Sequence, residues 1–172
     1  EYGIISLAYA FIGFALMFYR YGMDTALMKY SVQLTGKDRT SYISSIYILQ
    51  LISAIVFSTI LFFAKGYVSE PILGIENPDW IIFISWILVL DNLWNHHVLL
   101  LRAENKAMPF ILFNVGNVTL TMVFNIIFIT KWNLGIEGVL LANLFSSSII
   151  FILSLPVIIK RISLLQLKSK IT

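Results

Sequence analysis

The chain has 172 residues, 59% of them apolar and only 12% charged, with a formal net charge of +3 and no cysteine. A soluble domain carries roughly 25% charged residues because its surface must stay wetted, so this composition, with a mean hydropathy of +0.87, excludes a soluble globular protein. The small, scattered positive charge argues against nucleic acid as a partner, and the lack of cysteine excludes disulfides and thiolate metal sites.

A hydrocarbon core of about 30 Å needs about 20 helical residues, and five stretches reach that length. The first begins at residue 4 and is expected to run as one helix to residue 34, beyond the membrane. The others cover residues 43–64, 80–101, 108–130 and 139–159. The connections carry the expected boundary signals. Residues 36–39 follow the first helix, and residues 66–79, with Pro71, Gly74 and Pro78, form the longest loop. Asp79 stands where it can cap the third helix, and Pro109 suits the first turn of the fourth. The expected fold is an all-α integral membrane protein, a polytopic bundle of about five transmembrane helices over residues 1–172. The chain opens at Glu1 directly against an apolar run, with no initiator Met and no signal-peptide pattern. It reads as a piece of a longer protein.

Lys and Arg are enriched in cytoplasmic loops. One side of the bundle collects Lys29, Lys37, Arg39, Arg102, Lys106, Lys160, Arg161, Lys168 and Lys170, against Lys65 and Lys131 on the other. The expectation is a multi-pass protein of the cytoplasmic membrane, with the amino terminus outside and the carboxy terminus in the cytoplasm.

At about 100° per residue every helix shows a polar stripe. On the first, Ser6, Gly13, Arg20, Asp24 and Ser31 fall together, with Tyr9 beside them. The second gathers Tyr47, Gln50, Ser53 and Ser58, and the third Asp91, Asn92, Asn95 and His96, with Ser85 and Arg102 on the same arc. Trp94 and His97 point away from that arc, toward lipid or a neighbouring helix. The fourth carries Asn114, Asn117, Thr121 and Asn125, and the fifth Asn143, Ser146, Ser147 and Ser154. Serines on such faces are explained by helix packing. Three asparagines on one face demand more partners. Asp91 lies about 16 Å past the edge of its helix, near the midplane, where an ionised carboxylate must face water or protein, or pair with a cation such as Arg20. Arg20 and Asp24 are spaced to pair with each other; Arg20 either snorkels to the inner boundary or faces a cavity. No phosphate loop or metal-binding His pair occurs, and adjacent His96 and His97 diverge too far on a helix to clamp one ion. No cofactor, metal or catalytic residue is expected.

Four segments carry a family resemblance: EYGI (1–4), YGMDTALMKYS (21–31), LRAENKAMPF (101–110) and LGIEGVLLANL (134–144). With them the chain resembles the polysaccharide flippases, the O-antigen and lipid-linked oligosaccharide exporters of the multidrug/oligosaccharidyl-lipid/polysaccharide superfamily. The resemblance implies the second to sixth helices of the amino-terminal lobe of a two-lobed transporter. It implies export of undecaprenyl-diphosphate-linked sugars by alternating access through a polar, often cationic cavity. The implied partners are the lipid-linked glycan, membrane lipids and polysaccharide assembly proteins. Arg20, Asp24, Asp91, Asn92, Asn95, His96, Asn114, Asn117 and Asn125 are the candidate cavity residues. A drug or cation antiporter of the same superfamily would suit Asp91. A membrane-embedded glycan polymerase or ligase would need catalytic groups in an outer loop, where only Glu70, Glu76 and Asp79 stand. A non-transporting scaffold would account for packing stripes but not for Asp91.

Overall fold

The computed structural model describes residues 2–74 and 77–161, apart from the side chains of residues 72 and 73. Lys168 and Lys170 of the basic count, Glu1 and Glu76 lie outside them. The described residues form six α-helices and no strand. The first two are α1 (Tyr2–Arg20) and α2 (Met23–Gln33). The single helix expected to residue 34 is therefore broken, at Tyr21 and Gly22, whose φ values are 46° and 68°. Glycine enters this left-handed region freely; a tyrosine there is strained. A helical periodicity count cannot register the break, because two left-handed residues leave the polarity on either side unchanged.

α3 (Gly36–Leu73) is 38 residues long, about 57 Å, and exceeds the hydrocarbon core. It absorbs most of the expected 66–79 loop. Pro71 sits in its last turn, where it withdraws one N–H from the ladder and crowds the carbonyl four residues back, and the helix closes three residues later at Gly74. α4 (Trp80–Ala103) starts without a side-chain cap: Asp79 makes no capping bond, and its carboxylate instead accepts from Lys65 Nζ at 2.7 Å. α5 (Ala107–Ile126) takes Pro109 in its first turn and ends in a π-helical turn, Ile127–Lys131. α6 (Gly135–Arg161) completes the bundle. The α5–α6 corner is tight. A Cβ on Gly138 would meet Leu134 Cβ at 3.0 Å and Phe128 Cβ at 3.2 Å.

Four segments, Tyr2–Arg20, Gly36–Pro71, Ala107–Lys131 and Gly135–Arg161, are long and apolar enough to cross a membrane. The third expected span, α4, misses that standard because Asp91, Asn92, Asn95, His96 and His97 dilute its inner half. It nevertheless runs from one end of the bundle to the other. The Lys65–Asp79 pair lies at its start, and the Arg39–Glu104 pair just past its end. It packs against α1, α2, α3, α5 and α6, and thirteen of its 24 residues are buried. A helix covered by neighbours over most of its length, with Trp86 still exposed, need not be lipid-compatible on its covered faces. This is a multi-pass membrane protein built around a polar central helix.

Lipid is as apolar as a leucine core, so close packing and interhelical hydrogen bonds hold such a bundle together. Ala8, Ile12, Ala15 and Tyr19 of α1 pack with Ala54 of α3 and Ile81, Ile84, Ile87 and Leu88 of α4. Small residues on α1 permit that approach. Ser53 Oγ reaches Tyr19 O at 2.8 Å, and Ser58 Oγ lies 2.9 Å from the Tyr19 hydroxyl. Both serve the packing role expected of the second helix.

Candidate functional site

Tyr9, Gly13, Leu16 and Arg20 share one face of α1, within about 60° of one another. Toward the carboxy-terminal end of that face, Gly13, Leu16, Met17, Arg20, Gly22 and Asp24 line a groove of about 420 Å³. Arg20 Nη1 donates to Asp24 Oδ2 at 3.4 Å, a long contact for an ion pair. Burial raises the Asp24 carboxyl above its ordinary value, with the Arg20 charge opposing. Arg20 Nε is buried and has no partner among the described residues. The pair is loose, and the guanidinium keeps uncommitted donors. Ser31, expected on the same stripe, is not in the groove. Beyond the break α2 is redirected, so Ser31 is buried and donates to Met28 O.

The third-helix arc resolves into two environments. Asp91 Oδ1 accepts from Ser147 Oγ of α6 at 2.5 Å and from Trp94 Nε1 at 3.0 Å. Its hydrogen bonds come from neutral groups, although the Arg20 charge is within electrostatic reach. Asn92 and His96 are 0% and 1% exposed. Asn92 Nδ2 donates to Gln50 O at 3.3 Å, and His96 Nδ1 lies 2.7 Å from Gln50 Oε1. Both were expected on a cavity face; they are enclosed between α3 and α4 because Gln50, itself fully buried, covers them. Asn95 is half-buried and makes no side-chain hydrogen bond among the described residues. Trp94 and His97 face α5: His97 stacks edge-on against Phe113 at 5.1 Å, and Trp94 packs with Phe110 and Phe113.

α5 buries none of its residues. Asn114 turns back to Phe110 O on its own helix at 2.8 Å. Asn117 receives Ser146 Oγ at both its backbone and side-chain oxygens, at 2.8 and 2.6 Å, which leaves its Nδ2 free to face outward. Asn125 Oδ1 is buried and unpaired among the described residues. Asn117, Thr121 and Asn125 meet Tyr9 of α1 and Asn143 of α6, with Val118, Met122 and Ile126, around an open cleft of about 510 Å³. Of the nine candidate residues, the structure brings Arg20 and Asp24 into one opening and Asn117 and Asn125 into another. Asp91, Asn92, His96 and Asn114 are engaged within the bundle.

One residue escaped the stripe reading. Glu104, just past α4, accepts from Arg39 Nη2 of α3 at 2.7 Å, from Arg161 Nη2 of α6 at 2.7 Å and from Lys106 Nζ at 2.9 Å. Burial alone would raise this carboxyl. The hydrogen bonds from Arg39 and Lys106 and the Arg161 charge outweigh burial and hold it at about 2. Arg39 Nε also donates to Ser31 O at 2.7 Å, which ties in the end of α2. The signal was a lone acid inside LRAENKAMPF, among the basic residues gathered at that end of the bundle.

A family model described as polysaccharide biosynthesis protein matches residues 1–172. No curated protein and no solved structure matches the chain.

Proposed function

This chain belongs to the polysaccharide biosynthesis protein family, and we propose that it carries a lipid-linked oligosaccharide from the cytoplasmic to the outer leaflet by alternating access. The observation that carries the proposal is Arg20. It stands half-buried in an open groove at a helix break, only loosely paired with Asp24 and with Nε unpartnered among the described residues. A guanidinium with free donors fits the paired oxygens of a phosphate, the group that joins lipid to sugar in such a substrate. Family membership supports a transporter over an enzyme. The bundle is then one lobe of a two-lobed carrier in the cytoplasmic membrane, with its glycan substrate, the surrounding lipids and polysaccharide assembly proteins as partners. The Glu104 end faces the cytoplasm, in keeping with the basic residues gathered there. The engagement of Asp91 with Ser147 and Trp94 favours this reading over a cation antiporter, which needs a carboxylate open to its ion.

The test is translocation in proteoliposomes, using a fluorescent polyprenyl-diphosphate oligosaccharide that a membrane-impermeant reagent quenches only in the outer leaflet. Arg20→Ala should slow transport about tenfold or more, the equivalent of one charged hydrogen bond, and Arg20→Lys should keep part of it. Full transport by Arg20→Ala would remove the groove from the mechanism.

A further inference from the structure

The two openings along α1 differ in chemistry. The Arg20 groove holds a cation and a carboxylate; the cleft at Tyr9 has no formal charge among its lining residues. Three amides converge on that cleft with hydrogen-bonding capacity left over. Asn117 keeps its Nδ2 free, Asn125 has an unpaired buried Oδ1, and Asn143, 9% exposed, makes no side-chain hydrogen bond among the described residues. The Tyr9 hydroxyl is likewise without a hydrogen-bond partner among them. Each amide offers both a donor and an acceptor. Asn125 Oδ1 is itself enclosed, but the Asn125 Nδ2, Asn117 Nδ2, Asn143 amide and Tyr9 hydroxyl make no bond among the described residues and are available to a ligand in the cleft. The ring of Tyr9 and the side chains of Val118, Met122 and Ile126 supply apolar contact between them. Donor-acceptor pairs alternating with an aromatic ring and aliphatic patches match a sugar, whose hydroxyl and acetamido groups stand around an apolar ring face.

Resting on the flippase reading, we infer that the cleft lined by Tyr9, Asn117, Asn125 and Asn143 is a carbohydrate subsite for uncharged, hydroxyl- and acetamido-bearing sugars, separate from the phosphate-binding groove at Arg20. No cation lines the cleft. An acidic sugar would therefore give up its hydration with no charge to pair with. Tyr9 and Arg20 are eleven residues apart on α1, about 16 Å. That distance exceeds one sugar ring, so the cleft meets a sugar beyond the one attached to the diphosphate.

The experiment measures binding to the purified protein in lipid nanodiscs with three probes. These are polyprenyl diphosphate alone, the same lipid bearing a neutral N-acetylated trisaccharide, and the same lipid bearing a trisaccharide of uronic acids. The neutral trisaccharide should tighten binding over the bare lipid about tenfold, as one or two net hydrogen bonds would, and the uronic trisaccharide should not. Asn143→Leu and Asn125→Leu should abolish that increment while leaving affinity for the bare lipid unchanged. Arg20→Ala should weaken all three probes alike. Should the increment survive both Asn substitutions, or the uronic trisaccharide gain as much as the neutral one, the subsite is overturned while the flippase reading stands. Failure of wild type to bind any of the three probes would overturn the flippase reading itself, and the subsite with it.

Discussion

α4 and α5 are consecutive helices with similar complements of amides, yet they use them in opposite ways. α4 packs against five other helices and buries thirteen residues; α5 buries none. Asn92 Nδ2 on α4 donates to the Gln50 backbone and His96 Nδ1 meets the Gln50 side chain, while Asn92 Oδ1 and His96 Nε2 stay enclosed without a partner among the described residues. Asn125 on α5, at similar helical spacing, also has an enclosed oxygen unpaired among the described residues, but the residue lines an open cleft. Residue type and periodicity are shared; what differs is whether another helix stands in front. A polar stripe in a membrane helix thus has two meanings, interhelical attachment and ligand recognition, and only the neighbouring helix separates them.

Substitutions sharpen the contrast, beginning with the largest expected effect. Gln50→Leu leaves His96 Nδ1 enclosed without its partner and should lower stability by about 2–3 kcal/mol, read by thermal denaturation in detergent. Glu104→Gln weakens three charged contacts at the bundle end and should lower it by about 2 kcal/mol. The same residue sets a pH dependence. Its folded-state pKa of about 2 lies below the ordinary 4.5, so its contribution is complete above the unfolded value. Stability should fall as pH drops from about 4.5 toward 2 in wild type, and Glu104→Gln should flatten that slope. Gly22→Ala places a Cβ at φ 68° and should cost about 1 kcal/mol, with the Arg20–Asp24 geometry disturbed alongside. Asn125→Ala should change stability by less than about 0.5 kcal/mol, since no described residue hydrogen-bonds to its side-chain oxygen. An equal loss in Gln50→Leu and Asn125→Ala would erase the distinction between the helices.

The helical bundle and its polar faces were legible because apolar run length and a period of 3.6 residues survive any tertiary arrangement. The break after Arg20 was not, since it depends on two backbone angles. Nor was the extension of α3 through residues 66–73, where Pro71 and nearby Gly74 look like loop signals but fall in the last turn and the cap of a helix. Arg20 and Asp24 could be paired from their i, i+4 spacing, and Ser53, Ser58, Ser146 and Ser147 were readable as attachments between helices, whereas Ser154 bonds back to its own helix. Asn92 and His96 could not be assigned to the enclosed side. That depends on Gln50, which lies 42 and 46 residues away in sequence. The Glu104 cluster is of the same kind, with Arg39 and Arg161 separated from it by 65 and 57 residues.

The contrast between the two helices is tested most directly by solvent access to single cysteines, for which the chain offers a background with none. The measurement is the labelling rate, in lipid nanodiscs, of Asn92→Cys and His96→Cys on α4 and of Thr121→Cys and Asn125→Cys on α5, with a small water-soluble thiol reagent. The α5 cysteines should react readily from the cleft, and the α4 cysteines should stay protected until the protein is denatured. Ready labelling at residues 92 and 96, with protection at 121 and 125, would contradict the assignment of the closed stripe to α4 and the open one to α5.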